Sequence, residues 1–491
     1  MKMLASFPRT YKMNATTPAT TSALSKPWLG LAVLLLAGFV TTFDLFVVNV
    51  AIPAMQSSLN ASFAQVGFIV TGYQLAFAAL LISGGRLGDL FGRRRLFVLG
   101  MTGFNVTSLL CGLAPAAGFL IAARVLQGCT AALLFPQVYA SIRANFDSTD
   151  SRRAFSLLGM TLGLAAIAGQ VLGGWLVQAD LFDLGWRSIF LINAPIGVLA
   201  VIGARWIPES TAPQHQELDW AGALLIAVGL ALLLMALIEG PERHWSSGCL
   251  LALASAISLL MLFYRQQEQR RSADRQPLVD MRLLAQPRFA LGTLLVLLVY
   301  STSSSFFLCF ALLMQAGLGL DPLSSGLIFA PCSVGFVLAS LAAPRLFTQR
   351  GINALVGGAL LYTAAIGTLI TQVYSAGATL QPLQLIPILV LLGAGQACLM
   401  TPLLNLLLGF VEDTQIGMAS GVLSTLQQVG AALGVALVSI LFGTTLATDS
   451  ATGKAAQYAA AFVSGMLYNL IAALLVCLLL WLLARAPRFN K

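Results

Sequence analysis

Charge is nearly absent from long stretches of this chain. Apolar runs recur at about 28–52, 64–84, 96–115, 117–140, 154–177, 188–207, 219–238, 248–264, 289–315, 323–343, 352–373, 383–408, 416–443 and 456–484. A helix needs roughly 20 residues to cross a hydrocarbon core, so the pattern gives fourteen spans, the eighth short for a full crossing. The runs hold Leu, Ala, Gly and Phe without two-residue alternation, so they are helices and not barrel strands. Only 9% of the 491 residues are charged and 58% are hydrophobic, against about 25% charged in a soluble domain. A water-soluble enzyme is excluded, and an all-α polytopic membrane protein is the fold class expected.

The basic residues set the orientation. With the N-terminus placed in the cytoplasm, only Arg187, Arg243 and Lys454 of the 27 Lys and Arg residues fall outside, and Arg124 lies within a span. The rest gather on the inner side, as the positive-inside rule requires. One span miscounted early in the chain would erase this bias. Both termini are therefore expected in the cytoplasm and the protein in the cell membrane.

Several function classes fall away. The net charge of +9 comes in short clusters between apolar runs, so no groove collects it for nucleic acid. Cys111, Cys129, Cys249, Cys309, Cys332, Cys398 and Cys477 show no C-x-x-C spacing and read as small buried hydrophobes. With His215 and His244 the only histidines, no metal site is expected. Gly453-Lys454-Ala455 is not a phosphate-binding loop, so no ATP site and no cofactor is expected.

A repeat organises the spans. Arg86-Leu87 precedes Gly92 at one inner turn, and Arg345-Leu346 precedes Gly351 with the same spacing eight spans later. This fits two pseudo-symmetric six-helix bundles with two inserted helices, an arrangement met in secondary transporters. The expected layout is a cytoplasmic tail at 1–27, a first bundle at 28–207 and two inserted helices at 208–264. A basic cytoplasmic loop at 265–288, a second bundle at 289–484 and a short cytoplasmic tail at 485–491 complete it.

Asp44 is the only acid deep in a span, and Arg124 the only base. Embedding a charge costs roughly 2.5–3.5 kcal/mol on insertion scales, so such residues usually have a task. Span one runs outward and span four inward. At 1.5 Å per residue both residues lie about 10–12 Å below the outer edge and can face each other. One reading is a proton site, in which desolvation and a neighbouring arginine act in opposite senses on the carboxylate. The other is a permanent ion pair tying two helices. The second half has no embedded charge. It offers Gln315, Gln372, Gln396, Asn405, Gln427, Gln428, Tyr468 and Asn469 with Phe306, Phe307 and Phe310. Tyr73 and Gln74 join them from the first half. Of these, Tyr73, Gln74, Phe306, Phe307, Phe310, Gln396 and Asn405 are the candidates for an amphipathic pocket.

Gly85-Arg86-Leu87-Gly88-Asp89-Leu90-Phe91-Gly92-Arg93-Arg94-Arg95 resembles the loop motif between spans two and three of the major facilitator superfamily. Its glycines permit a tight turn, Asp89 can cap a helix N-terminus, and the arginines hold the inner face. Asp44 through Pro53 resembles the first-span signature of that superfamily's fourteen-spanner drug/proton antiporters, and Arg124-Val125-Leu126-Gln127-Gly128 resembles their fourth-span motif. Trp186 through Gly197 is similar to the start of their sixth span. Ala419-Ser420-Gly421 with Gln427-Gln428-Val429-Gly430 is similar to their thirteenth. The resemblance implies that Asp44 couples protons with Arg124 beside it, and that Gly85, Arg86, Gly88, Asp89, Gly92 and Arg93 stabilise the outward-facing state through contacts to the second bundle. One departure stands out: Gln170 follows Gly169 where the antiporter motif of span five has proline, while Gly173-Gly174 are kept. Gly169 and Gly173 still form a face for close helix packing.

The expected function is a proton-coupled secondary transporter that exports small hydrophobic or amphipathic compounds by antiport, driven by the proton-motive force. A proton symporter or exporter of one endogenous metabolite is the alternative, favoured by the missing proline. A membrane-embedded enzyme or receptor is remote, since no polar catalytic cluster or signalling domain is visible. The expected partners are the small-molecule substrate, protons and the bilayer, with the chain a monomer.

Overall fold

The computed structural model describes residues 27–211, 219–240, 243–273, 275, 277–411, 416–448 and 453–485. The tails at 1–26 and 486–491, and His215, lie outside them. Fourteen helices are long and apolar enough to cross a membrane, and the described residues contain no strand. The first six are α1 (Pro27–Leu59), α2 (Phe63–Phe91), α3 (Arg93–Gly112), α4 (Ala117–Asn145), α5 (Ser148–Ala179) and α6 (Gly185–Trp206). Two more follow, α7 (Trp220–Glu239) and α8 (Ser247–Ser272). The last six are α9 (Pro287–Gly317), α10 (Pro322–Arg350), α11 (Ile352–Ala376), α12 (Ile386–Leu408), α13 (Ile416–Thr448) and α14 (Lys454–Arg485). Leu99, Leu113, Leu251, Leu341 and Ile471 stand more than half exposed. Such a surface is at home against lipid tails.

The stretch 265–288, expected as a loop, is mostly helical. Helix α8 runs on to Ser272 and a short helix spans Met281–Ala285. The cause is that Gln266, Gln267, Glu268 and the arginines are good helix formers. The helix leaves the apolar zone without ending.

The two six-helix halves repeat one packing plan. In the first, α2 packs on α4, α1 on α5, α3 on α4 and on α6; in the second, α10 packs on α12, α9 on α13, α11 on α12 and on α14. Gly92 (φ 102°) closes α2 and opens α3, and Gly351 (φ 56°) does the same for α10 and α11. A side chain at either position would be strained, which explains the glycine in both copies of the repeat. Proline recurs inside corresponding helices, Pro136 in α4 and Pro402 in α12.

The halves meet along two seams. On one, α2 lies against α13: Phe63 stacks on Phe442 at 5.8 Å, and the Thr425 hydroxyl donates to Ala78 O at 3.2 Å. On the other, α5 lies against α10, where Gly174 rests on the Pro322 carbonyl and Gly326 on that of Gln170. At the end away from the arginines, Gln315 Nε2 of α9 donates to Val50 O of α1 at 2.8 Å. Below this bond, Phe46 meets Phe307 edge-on at 5.2 Å. Helix α7 covers the first seam, its Leu230, Leu234 and Ile238 packing on Ala64 and Ala78 of α2 and on Val429, Ala432 and Ala436 of α13.

At the arginine-rich end the inserted pair is tied to both neighbours. Asp219, just before α7, accepts from Gly222 N at 2.9 Å, Gln266 at 2.8 Å and Gln267 at 2.6 Å, with Arg270 at 3.7 Å. Burial pushes its carboxyl upward, but these donors outweigh burial and hold it below the ordinary carboxylate value. Gln267 Oε1 accepts from Val279 N at 3.1 Å, and Arg86 of α2 donates to Pro277 O at 2.8 Å.

Candidate functional site: a buried ion pair in the first bundle

The two span charges meet. Arg124 Nη1 donates to Asp44 Oδ2 at 2.6 Å, with Asp44 0% and Arg124 1% exposed. Their helices are brought together by small residues. Gly128 of α4 lies directly on the Tyr73 carbonyl of α2, and Gly173 of α5 on Val47 of α1. Gly169 of α5 takes Phe46 of α1, where a Cβ would sit 2.8 Å from its Cβ. The Gly169–Gly173 face thus seats the helix that carries Asp44, while Gly174 turns toward the second bundle. A buried charge pair recovers its desolvation cost only when its remaining valences are filled, and here they are. Asp44 Oδ1 accepts from Gln127 Nε2 and from Asn193 Nδ2, each at 3.0 Å. Arg124 also donates to Gln127 Oε1 at 2.7 Å and to Ile69 O at 3.3 Å. Its guanidinium lies 4.4 Å from the Tyr73 ring centre and 5.7 Å from that of Phe190. Rings so placed attract a desolvated cation.

Gln127 and Asn193 were not among the residues singled out as site candidates. Gln127 stands three residues after Arg124, one turn along the same face, and that spacing is a readable signal. Asn193 lies on α6 just past Ile192, and nothing local announces that it reaches Asp44.

The loop motif is assembled differently from expectation. Asp89 does not cap α3; it pairs with Arg93 at 2.8 Å. The cap comes from Glu209, whose Oε1 accepts from Arg94 N at 3.0 Å, while Ser210 O accepts from Arg93 N at 3.0 Å. The reason is geometric: Asp89 sits inside α2, the turn at Gly92 brings Arg93 at the start of α3 back to it, and the chain returning after α6 faces the open N-terminus of α3. Gly88 allows α2 to lie on the Gln137 amide, a Cβ at Gly85 would meet Pro136 only at an ordinary 3.6 Å, and Arg93 also reaches Ala140 O at 3.3 Å. Arg86 contacts the 277–279 segment, as above. Replacing Glu209 with Ala is expected to cost about 1 kcal/mol, the worth of a cap plus a charge at a helix start, less some screening of a side chain 31% exposed. Thermal unfolding in detergent measures this, with Glu209→Gln expected between Ala and parent. An Ala curve that overlays the parent contradicts the assignment.

The pocket candidates occupy separate places. Tyr73 belongs to the ion-pair node. Phe306, Phe307 and Phe310 pack with Phe329 of α10, ring centres 5.2–6.1 Å apart, in the closed end between the halves. Gln74 and Gln396 are buried, 3% and 6% exposed; the side chain of Asn405 lies outside the described residues. Gln315 is spent on Val50 and Gln372 on Gln384 O at 3.2 Å. Tyr468 donates to Ser301 at 2.8 Å, and Asn469 accepts from Ser305 at 2.6 Å. Gln427 and Gln428 are part-buried on α13. Two unexpected tyrosines lie near each other across the halves. Tyr139 of α4 is 39% exposed, and Tyr300 of α9 lies near it. All seven cysteines are free. No metal-binding group occurs among the described residues.

Two bundles in pseudo-symmetry, two inserted helices and one buried acid–base pair define a polytopic membrane transporter, not an enzyme. The chain belongs to the Major Facilitator Superfamily, whose profile matches residues 34–435. It is 36% identical over 416 residues to the probable actinorhodin transporter of Streptomyces coelicolor, covering 84% of this chain and 72% of that protein. It is 35% identical over 416 residues to the puromycin resistance protein of Streptomyces alboniger, covering 84% and 81%. To the drug efflux pump JefA of Mycobacterium tuberculosis it is 34% identical over 414 residues, covering 82% and 77%. Among solved structures it resembles a bacterial homologue of the human lysosomal transporter Spinster in an inward-facing, unoccupied conformation. The TM-score there is 0.68 at 15% identity, over 94% of this chain and 98% of that one. An auto-inhibited peptide transporter of the POT family gives 0.67 at 17% identity, over 94% and 98%. At such identities the likeness speaks to fold alone.

Proposed function

We propose that this protein exports small hydrophobic or amphipathic compounds in exchange for protons, with Asp44 as the proton site. The observation that carries the reading is the Asp44–Arg124 pair, the only charges deep in the spans, sealed from solvent and fully hydrogen-bonded. Protonation of Asp44 cancels its attraction for Arg124. The arginine keeps Gln127 Oε1, Ile69 O and the Tyr73 face, so it stays satisfied while the acid is neutral. A pair whose partners both keep other hydrogen bonds when they part suits a load-and-release cycle better than a permanent tie. Each proton moving inward contributes about 2.3 kcal/mol per 100 mV of membrane potential. The relatives named for drug efflux and antibiotic resistance support the class of cargo. The orientation follows the arginines, with both termini cytoplasmic, in the cell membrane, and one chain suffices for the pathway.

A second reading, proton symport or export of a single endogenous metabolite, is favoured by Gln170. It stands in a continuous α5 where the antiporter motif carries proline. Everted vesicles with an acid interior separate the two. Adding ethidium, puromycin or related lipophilic cations and neutral drugs should raise the internal pH if each molecule enters as a proton leaves. Acidification on substrate addition establishes symport. Silence across the panel favours the single metabolite.

A further inference from the structure

We propose that Asn193 is a positioning residue for the proton site, and that its amide sets how readily Asp44 takes up a proton. The inference rests on the reading of Asp44 as that site. Asn193 is fully buried, and Nδ2 makes its two side-chain hydrogen bonds, donating to Asp44 Oδ1 and to Ser108 Oγ, each at 3.0 Å. Ser108 donates in turn to Phe190 O at 2.9 Å, so the amide is held from α3 as well as from its own helix α6. Its own Oδ1 is buried without a partner. An unpaired buried amide oxygen is unfavourable, and a leucine of similar size would avoid it. A residue present only to pack α6 gains nothing from this group. What the amide gains is the bond to the carboxylate.

The groups facing Asp44 can be taken helix by helix. Helix α4 presents Arg124 and Gln127, α2 presents Tyr73, and α3 presents Cys111 beside Ser108. Helix α5 offers Gly169 and Gly173 to α1, and α9 offers Phe307. The direct hydrogen bonds to the carboxylate come from Arg124, Gln127 and Asn193. Gln127 is committed to Arg124 through its other end, and Arg124 is the counter-charge itself. Asn193 is therefore the neutral donor that can change without disturbing the ion pair. A donor to the ionised form favours that form; without it the acid holds its proton to higher pH.

The test uses the proton as the only ligand. Purified parent, Asp44→Asn, Asn193→Ala and Asn193→Ser proteins are melted in detergent across pH 5–9, with Asn193→Leu added in case the alanine cavity prevents folding. The parent should show an inflection in melting temperature that Asp44→Asn lacks. Asn193→Ala or Asn193→Leu should move it upward by roughly one pH unit, and Asn193→Ser, whose hydroxyl can donate, should bring it back toward the parent. An inflection lost in Asp44→Asn but unmoved by the alanine and leucine variants overturns the role of Asn193 and leaves the proton site standing. No inflection that depends on Asp44 overturns both.

Discussion

Asp44→Asn is expected to abolish substrate-triggered proton release from acid-loaded everted vesicles, down to the level of vesicles without the protein. The substitution keeps the size of the side chain and an oxygen to accept from Gln127 and Asn193, though its amide nitrogen cannot accept where Arg124 donated. What it removes is the group that can gain and lose a proton about 10–12 Å below the outer edge. Binding of a neutral drug should survive, because the aromatic cluster and the Tyr139–Tyr300 region are untouched, whereas accumulation against a gradient should not. Proton release that persists in this variant refutes the assignment of Asp44, and the coupling then lies elsewhere.

The second large effect is on stability. Arg124→Gln leaves the Asp44 carboxylate sealed from solvent with only two neutral amides for company. Breaking one side of a buried pair costs about 3–5 kcal/mol, mostly as the penalty of the stranded charge. Asp44→Asn combined with Arg124→Gln removes both charges and should recover much of that loss. Thermal unfolding of the parent, both single variants and the double variant in one detergent gives the coupling between the two side chains. Strict additivity would mean that the 2.6 Å contact contributes nothing. Destabilisation by Arg124→Gln alone, with recovery in the double variant, shows the pair acting as a unit.

Much of the fold could be read from the chain because lipid removes alternatives. A run of apolar residues long enough to cross can only be a helix, and the arginines mark which ends share a side. The reading failed where that logic stops, at the membrane edge. There α8 continues through Gln266 to Ser272 because nothing in its polar residues opposes a helix. The centre of the site was legible for a related reason: a charge in hydrocarbon is conspicuous, so Asp44 and Arg124 stand out. Neutral amides are not. Asn193 lies 149 residues from Asp44 and Gln127 lies 83 away, and amides at other depths, such as Gln315 and Gln372, are spent on backbone carbonyls. Only the packing of α1, α4 and α6 tells these cases apart. Glu209 gives the same lesson at the surface. Asp89 was the nearer acid, but it is taken by Arg93 across the Gly92 turn, and the cap arrives from 115 residues on.

Helix α7 bears on how such a molecule can move. It touches both halves at once, and what it meets on them mixes small and large side chains: Ala64, Phe68, Leu75 and Ala78 on one side, Val429, Ala432, Leu433 and Ala436 on the other. Large branched side chains would interlock as ridges and grooves, and shifting one helix past another would mean lifting each ridge over the next. The four alanines lower that relief only between the larger side chains beside them. A helix seated on both surfaces belongs to neither half, so any rocking of the halves must be taken up across its contacts.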